Sequence, residues 1–139
     1  MANVRDCIYG QAVGTHGQPV GTWSDDTSMT LAICDSYRDL GGIDTDGIRV
    51  RFLAWYRDGA YTCDGLFDIG NATARALIAG HGLSGERDNG NGSLMRTVPL
   101  AFFDVTDDEV RAVSAITHAH PTSTEACVQM LHVAKALVD

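Results

Sequence analysis

The 139 residues are 45% hydrophobic, one domain's length with enough apolar side chain to bury a core, which argues against intrinsic disorder. Ten Lys and Arg against 18 Asp and Glu leave a formal charge of −8 with no basic cluster, which argues against nucleic-acid binding. No apolar run approaches the ~18 residues of a membrane span, and Met1–Gly10 has no signal-peptide core, so a cytoplasmic protein with no membrane partner is expected.

Helical periodicity runs through nearly the whole chain. Thr27–Leu40 puts Met29, Ala32, Ile33, Tyr37 and Leu40 on one stripe and stops at Gly41-Gly42. Asp44 or Thr45 caps a second helix with Ile48, Phe52, Trp55 and Tyr56 on one face before Gly59. A third helix is expected over Ile69–Ala79, ending at Gly80. A connector with Gly80, Gly82, Gly85, Gly90 and Gly92 follows, then an apolar segment, Ser93–Phe103, interrupted by Pro99. Asp107, Asp108 and Glu109 load the first turn of a fourth helix, which suits its dipole, and Val110, Val113 and Ile116 carry its stripe. After Pro121, Thr122-x-x-Glu125 reads as a capping box for a last helix through Cys127, Met130, Leu131, Ala134 and Leu137. No period-2 alternation rich in β-branched residues is present, and no internal repeat or linker. The expected fold is all-α, a single domain over residues 1–139 or part of one.

Cys7, Cys34, Cys63 and Cys127 are widely spaced with no C-x-x-C pair. They read as four free, buried or half-buried thiols rather than a disulfide framework or a structural zinc site.

The sharpest local feature is Gly21-Thr-Trp-Ser-Asp-Asp-Thr-Ser-Met-Thr-Leu31, where Ser24, Asp25 and Asp26 precede a strongly periodic helix. Adjacent carboxylates repel, so something must neutralise them. The helix N-terminus supplies part of that through its dipole and free N–H groups. A hard divalent cation would supply more, and hydroxyl and carboxylate oxygens are the ligands Mg²⁺ or Mn²⁺ prefer. Taken alone, the tripeptide reads first as an ordinary N-cap cluster.

Gly21–Leu31 resembles the signature of the ADP-ribosylglycohydrolase family, and three further segments resemble it in the right order. Phe67-Asp-Ile-Gly-Asn-Ala-Thr73 is similar to a D-I-G-x-x-T helix start. Asn89-Gly-Asn-Gly-Ser-Leu-Met-Arg-Thr-Val-Pro-Leu100 is similar to an N-G-x-x-M-R-x-x-P-L stretch. Ser114-Ala-Ile-Thr-His-Ala-His-Pro121 is similar to an S-x-x-T-H-x-x-P element. Each is weak alone; four in order are specific together.

The resemblance implies a compact orthogonal multi-helix fold and hydrolysis of the bond between C1″ of ADP-ribose and an acceptor, often an arginine guanidinium. It implies Ser24, Asp25 and Asp26 as ligands of a pair of divalent metals, Mg²⁺ or Mn²⁺, that hold ribose hydroxyls and lower the pKa of a bridging water. Asp26 and Asp68 become candidates for proton transfer, with Asp68 also a substrate contact. Gly90, Asn91, Gly92, Ser93 and Met95 are implied to line the ADP-ribose pocket, where a loop short in side chains and rich in N–H groups suits a pyrophosphate. His118 is implied as a ribose or phosphate contact. The partner would be ADP-ribose or an ADP-ribosylated protein.

The residues by themselves leave other readings open. Asp68 at a helix start reads equally as a cap, and the connector as a flexible loop. Arg96 suits either a phosphate or an internal ion pair. On a helix, His118 and His120 at i and i+2 would face apart, making His120 structural or exposed; His16, His81 and His132 show no partner pattern.

Two lookalikes fail. Gly80-His-Gly-Leu-Ser-Gly85 matches G-x-G-x-x-G, but a helix rather than a strand precedes it. Asp44-Thr-Asp-Gly47 starts like a calcium loop, yet its twelfth position is Trp55 rather than Glu. No nucleophile elbow surrounds Ser93.

Two departures from the family pattern shape the expectation. A D-x-D-T/S element that completes the family's metal site is not found before Asp139. Asp6-Cys-Ile-Tyr-Gly-Gln-Ala-Val-Gly14 resembles the opening helix but passes into Thr15–Val20 without the acidic residue that normally follows. The chain thus reads as a shortened member with an incomplete metal site. Three outcomes stay open: a hydrolase, a non-catalytic binder of ADP-ribose or a related nucleotide, and a fragment needing a complementing chain or self-association.

Overall fold

Stops and caps written into the sequence set the helix boundaries. A computed structural model describes residues 17–19 and 21–138. The segment Asp6–Gly14 with Cys7, and His16, lie outside the described residues. Helix α1 spans Asp25–Leu40 and ends on Gly41 in the left-handed conformation, φ 71°, where glycine has no Cβ to clash. Helix α2 spans Thr45–Asp58, opened by Asp44, whose carboxylate accepts from the Asp46 amide, and closed by Gly59. Helix α3, Asn71–Ala79, begins two residues later than expected, with Gly70 in the cap position.

The apolar stretch around Pro99 is not an α-helix. It forms two 3-10 turns, Leu94–Arg96 and Val98–Phe102, a third being Glu86–Asp88 in the connector. Helix α4, Asp107–Ala115, carries a capping box between Thr106 and Glu109, so Glu109 both stabilises the dipole and satisfies the Thr106 amide. Helix α5, Pro121–Val138, starts at the proline itself, a residue suited to a helix's first position. The expected Thr122–Glu125 capping box is therefore absent. The Thr122 amide donates to His120 Nδ1, and Glu125 is drawn to Arg111, Oε1 lying 2.7 Å from Nε.

Helix α1 packs on α2 and α4 on α5, with the 3-10 segments wedged against α1 and α5. Met29, Ile33, Ile48, Phe52, Trp55, Leu100, Val110, Val113, Ile116 and Leu131 form the common core. Burying each large side chain contributes roughly 1.5–3 kcal/mol. No strand occurs among the described residues; the one extended contact is a bridge between Leu83 and His118. Gly82 makes that bridge possible, since a Cβ there would lie 2.0 Å from the Ala115 carbonyl oxygen. The glycine of the false dinucleotide motif thus serves close backbone packing. The fold is all-α, as expected. Among the described residues no helix is long and apolar enough to cross a membrane. Cys34 is half-buried and Cys127 buried, but Cys63 is exposed, in a loop with little apolar cover, contrary to the expected burial.

Candidate functional site

Ser24 holds the N-cap position of α1 in an extended backbone, yet its side chain makes no cap bond. Its hydroxyl donates instead to Asp26 Oδ2 at 3.0 Å. The ordinary cap reading of this tripeptide therefore lacks its defining hydrogen bond. Asp26 is exposed and Asp25 buried. Burial, then the charges of Asp26 and Asp68, push Asp25 up to about 6, partly offset by hydrogen bonding to the Ser24 side chain and the Asp26 backbone. Three carboxylates thus share one electrostatic neighbourhood at the start of α1.

The loop carrying Asp68 is tied to α1 through Tyr61. The Tyr61 carbonyl accepts from Trp23 Nε1 at 2.8 Å and from Ser28 Oγ at 3.1 Å. The Tyr61 hydroxyl donates to Asp35 Oδ2 at 2.8 Å. Tyr61 and Asp68 are the described non-glycine residues with positive φ, 65° and 55°. Such backbone is tolerated by Asp more readily than by most residues. Asp68 lies two residues before Gly70, which holds the N-cap position of α3.

The donor chemistry of Ser24, Asp25 and Asp26 fits a hard divalent cation, and the raised pKa of Asp25 is the penalty such a cation relieves. The fit is one-sided: among the described residues no group of three or more His, Cys, Asp or Glu is close enough to hold an ion.

Asp25 and Met29, four residues apart and both buried, share a face of α1. Met29 Sδ receives Arg96 Nη1 at 3.7 Å, and the same nitrogen donates to the Gly92 carbonyl at 3.0 Å. Arg96 thereby ties the glycine connector to α1 one turn along from Asp25. Asn89, Gly90, Asn91, Leu94, Ser123 and Ala126 are among the residues lining a cavity of about 170 Å³ between the connector and the first turns of α5. Gly92 admits no side chain: a Cβ would lie 2.7 Å from Thr73 Oγ1 and 2.8 Å from His118 Cε1.

Ser93 borders the cavity, but its hydroxyl accepts from Ser114 Oγ at 2.9 Å and from Cys127 Sγ at 3.5 Å. Met95 packs half-buried against the hydrophobic core. Neither offers its side chain as freely as a pocket-lining role implies.

Arg96 is wholly buried, and among the described residues it pairs with no carboxylate, so a different arrangement stands in place of the internal ion pair. Its guanidinium lies over the Phe52 ring and donates to backbone carbonyls and Thr117. Desolvation lowers it to about 10, so it stays charged at neutral pH. His118 is not on a helix but on the bridge to Leu83. Burial, then the Arg96 charge, lower it to about 4, leaving a neutral imidazole. Thr73, Asn89, Thr117 and Ser123 also border these features. Thr73, Asn89 and Thr117 stood inside the motif segments, where their hydroxyl or amide chemistry was the available signal.

The ADP-ribosylglycohydrolase family model matches residues 2–139. The chain is 38% identical over 109 residues to ADP-ribosylarginine hydrolase Tri1 of Pseudomonas putida (strain GB-1), covering 73% of this chain and 29% of that relative. It is 35% identical over 138 residues to ADP-ribosylarginine hydrolase Tri1 of Serratia proteamaculans (strain 568), covering 90% and 37%. It is 31% identical over 121 residues to the ADP-ribosyl-[dinitrogen reductase] glycohydrolase of Rhodospirillum rubrum, covering 79% and 39%. The chain spans about a third of the length of the curated relatives it matches. On the family match and these identities, this chain belongs to the ADP-ribosylglycohydrolase family.

Proposed function

We propose that this chain provides the ADP-ribose-binding and first metal-binding portion of a hydrolase that removes ADP-ribose from modified arginine side chains. Support comes from family membership together with relatives named for ADP-ribosylarginine hydrolysis. The observation that carries the reading is a side-chain-poor connector beside His118, held by Arg96, which also reaches Met29 one turn along α1 from Asp25.

In this reading Ser24, Asp25 and Asp26 would hold Mg²⁺ or Mn²⁺, which when bound polarises sugar hydroxyls and acidifies water. The amides of Gly90, Asn91 and Gly92 would face the pyrophosphate. Asp68, exposed near Asp25, holds or moves a proton at the scissile C1″ bond, with Asp26 the other candidate. His118, neutral, donates a hydrogen bond to a ribose or phosphate oxygen. The free thiols at Cys34, Cys63 and Cys127 accord with a reducing, cytoplasmic setting.

The test is release of ADP-ribose from an ADP-ribosylated arginine peptide, with Mg²⁺, with Mn²⁺ and with EDTA, alongside ADP-ribose binding by calorimetry. Metal-dependent release supports the full reading. Binding without release reduces it to ADP-ribose recognition, and neither binding nor release refutes it.

A further inference from the structure

Arg96 has five N–H donors and, among the described residues, no acidic partner. Four are used: Nη1 toward Met29 Sδ and the Gly92 carbonyl, Nη2 toward the Val113 carbonyl at 3.2 Å and Thr117 Oγ1 at 2.9 Å. Among the described residues Nε has no partner. Burying a guanidinium to bond neutral carbonyls and one hydroxyl is costly, so its placement asks for a reason beyond stability.

Thr117 Oγ1 lies 2.8 Å from His118 Nδ1. A threonine hydroxyl has one proton to give and two lone pairs to offer. Arg96 Nη2 occupies a lone pair, and the described residues offer the Thr117 proton no acceptor other than His118 Nδ1. With that proton directed at Nδ1, the nitrogen would be unprotonated and the ring hydrogen would sit on Nε2. That nitrogen faces the connector: a Cβ on Gly92 would be 3.3 Å from it and one on Gly90 3.9 Å.

We propose that Arg96 and Thr117 are positioning residues that fix His118 in its Nε2–H tautomer, aimed across the Gly90–Gly92 backbone as a neutral donor to a ligand oxygen. Arg96 also holds the Gly92 carbonyl, so one side chain sets both the connector and the ring that faces it. The inference rests on the ADP-ribose reading only for the identity of that oxygen, a ribose hydroxyl or a phosphate. The relay itself is a property of the ligand-free protein.

The experiment is ¹⁵N NMR of the imidazole rings at pH 7, with His118 assigned through His118→Gln, in the unsubstituted protein, Thr117→Ser and Thr117→Val. Calorimetry with ADP-ribose runs in parallel. The expected result is an Nε2–H ring in the unsubstituted protein and in Thr117→Ser. In Thr117→Val the ring moves toward Nδ1–H and ADP-ribose affinity falls about tenfold. An Nδ1–H ring in the unsubstituted protein, or unchanged ring shifts in Thr117→Val, overturns the relay. Should Thr117→Val not fold, the tautomer of the unsubstituted protein and its retention in Thr117→Ser decide the matter. If the tautomer behaves as described while ADP-ribose binds to none of the proteins, the relay stands and the ADP-ribose reading falls.

Discussion

Gly92 and His118 are packed so closely that a single methyl group on the glycine would lie 2.8 Å from the imidazole Cε1. The contact joins the glycine connector to the bridge on which His118 sits. It means that the absence of a side chain at residue 92 is a geometric demand of the candidate site.

Gly92→Ala should therefore displace His118 or the connector. The expected outcome is at least a tenfold loss of ADP-ribose affinity by calorimetry, with helix content by circular dichroism unchanged. Gly82→Ala, with its Cβ 2.0 Å from a backbone oxygen, should instead unfold or strongly destabilise the chain, since backbone cannot give way as a flexible side chain can.

Asp25→Asn tests whether the acidic cluster is stabilising or waiting for a cation. Burial and the charges of Asp26 and Asp68 raise the Asp25 pKa to about 6, so its ionised form is a burden at pH 7. The amide should raise the metal-free melting temperature by a few degrees and abolish any further rise on adding Mg²⁺ or Mn²⁺. A cap or ion-pair role predicts a lower melting temperature.

The same two groups predict opposing pH dependences in one window. Asp25, raised from 3.8 to about 6, contributes stability that is fully present below pH 3.8 and lost as pH rises through 6. His118, lowered from 6.5 to about 4, contributes stability present above pH 6.5 and lost as pH falls through 4. Each shift is worth about 3 kcal/mol at most. Denaturant midpoints measured from pH 4 to 7 should rise steeply with pH in Asp25→Asn and fall with pH in His118→Gln. The unsubstituted protein should lie between them.

Arginines at two positions should behave in opposite ways to their count of ionic partners. Arg111 pairs with Asp108 and Glu125 at the surface, and Arg111→Ala should cost less than about 1 kcal/mol by urea denaturation. Arg96 has no ionic partner among the described residues, but Arg96→Met would strand the Gly92 and Val113 carbonyls and cost several kcal/mol.

The contrast also marks what could be read before the fold was known. Helices α1, α2 and α4 follow from apolar periodicity, and their stops at Gly41 and Gly59 from glycine's access to left-handed backbone. The four motif segments carried the family. What stayed hidden depended on contacts distant in sequence. Arg96 is buried because Met29, Val113 and Thr117 converge on it from three segments, which no local pattern encodes. Asp68 reads equally as a cap or a catalytic residue from its place before a helix, and only the fold shows that Gly70 holds the cap position. The Thr122–Glu125 pattern matched a capping box whose place His120 and Pro121 had already filled. The true box, Thr106-x-x-Glu109, carried the same signature and was there to be read.

In the proposed function, the start of α1 and the Gly90–Ser93 connector serve one ADP-ribose site. The most direct test of this is calorimetric titration of ADP-ribose into the chain with and without Mn²⁺, repeated for Gly92→Ala and Asp25→Asn. The expected result is binding that Mn²⁺ strengthens, that Gly92→Ala weakens in either condition, and that loses its Mn²⁺ dependence in Asp25→Asn. Binding indifferent to Mn²⁺ and to both substitutions, or no binding at all, would contradict it.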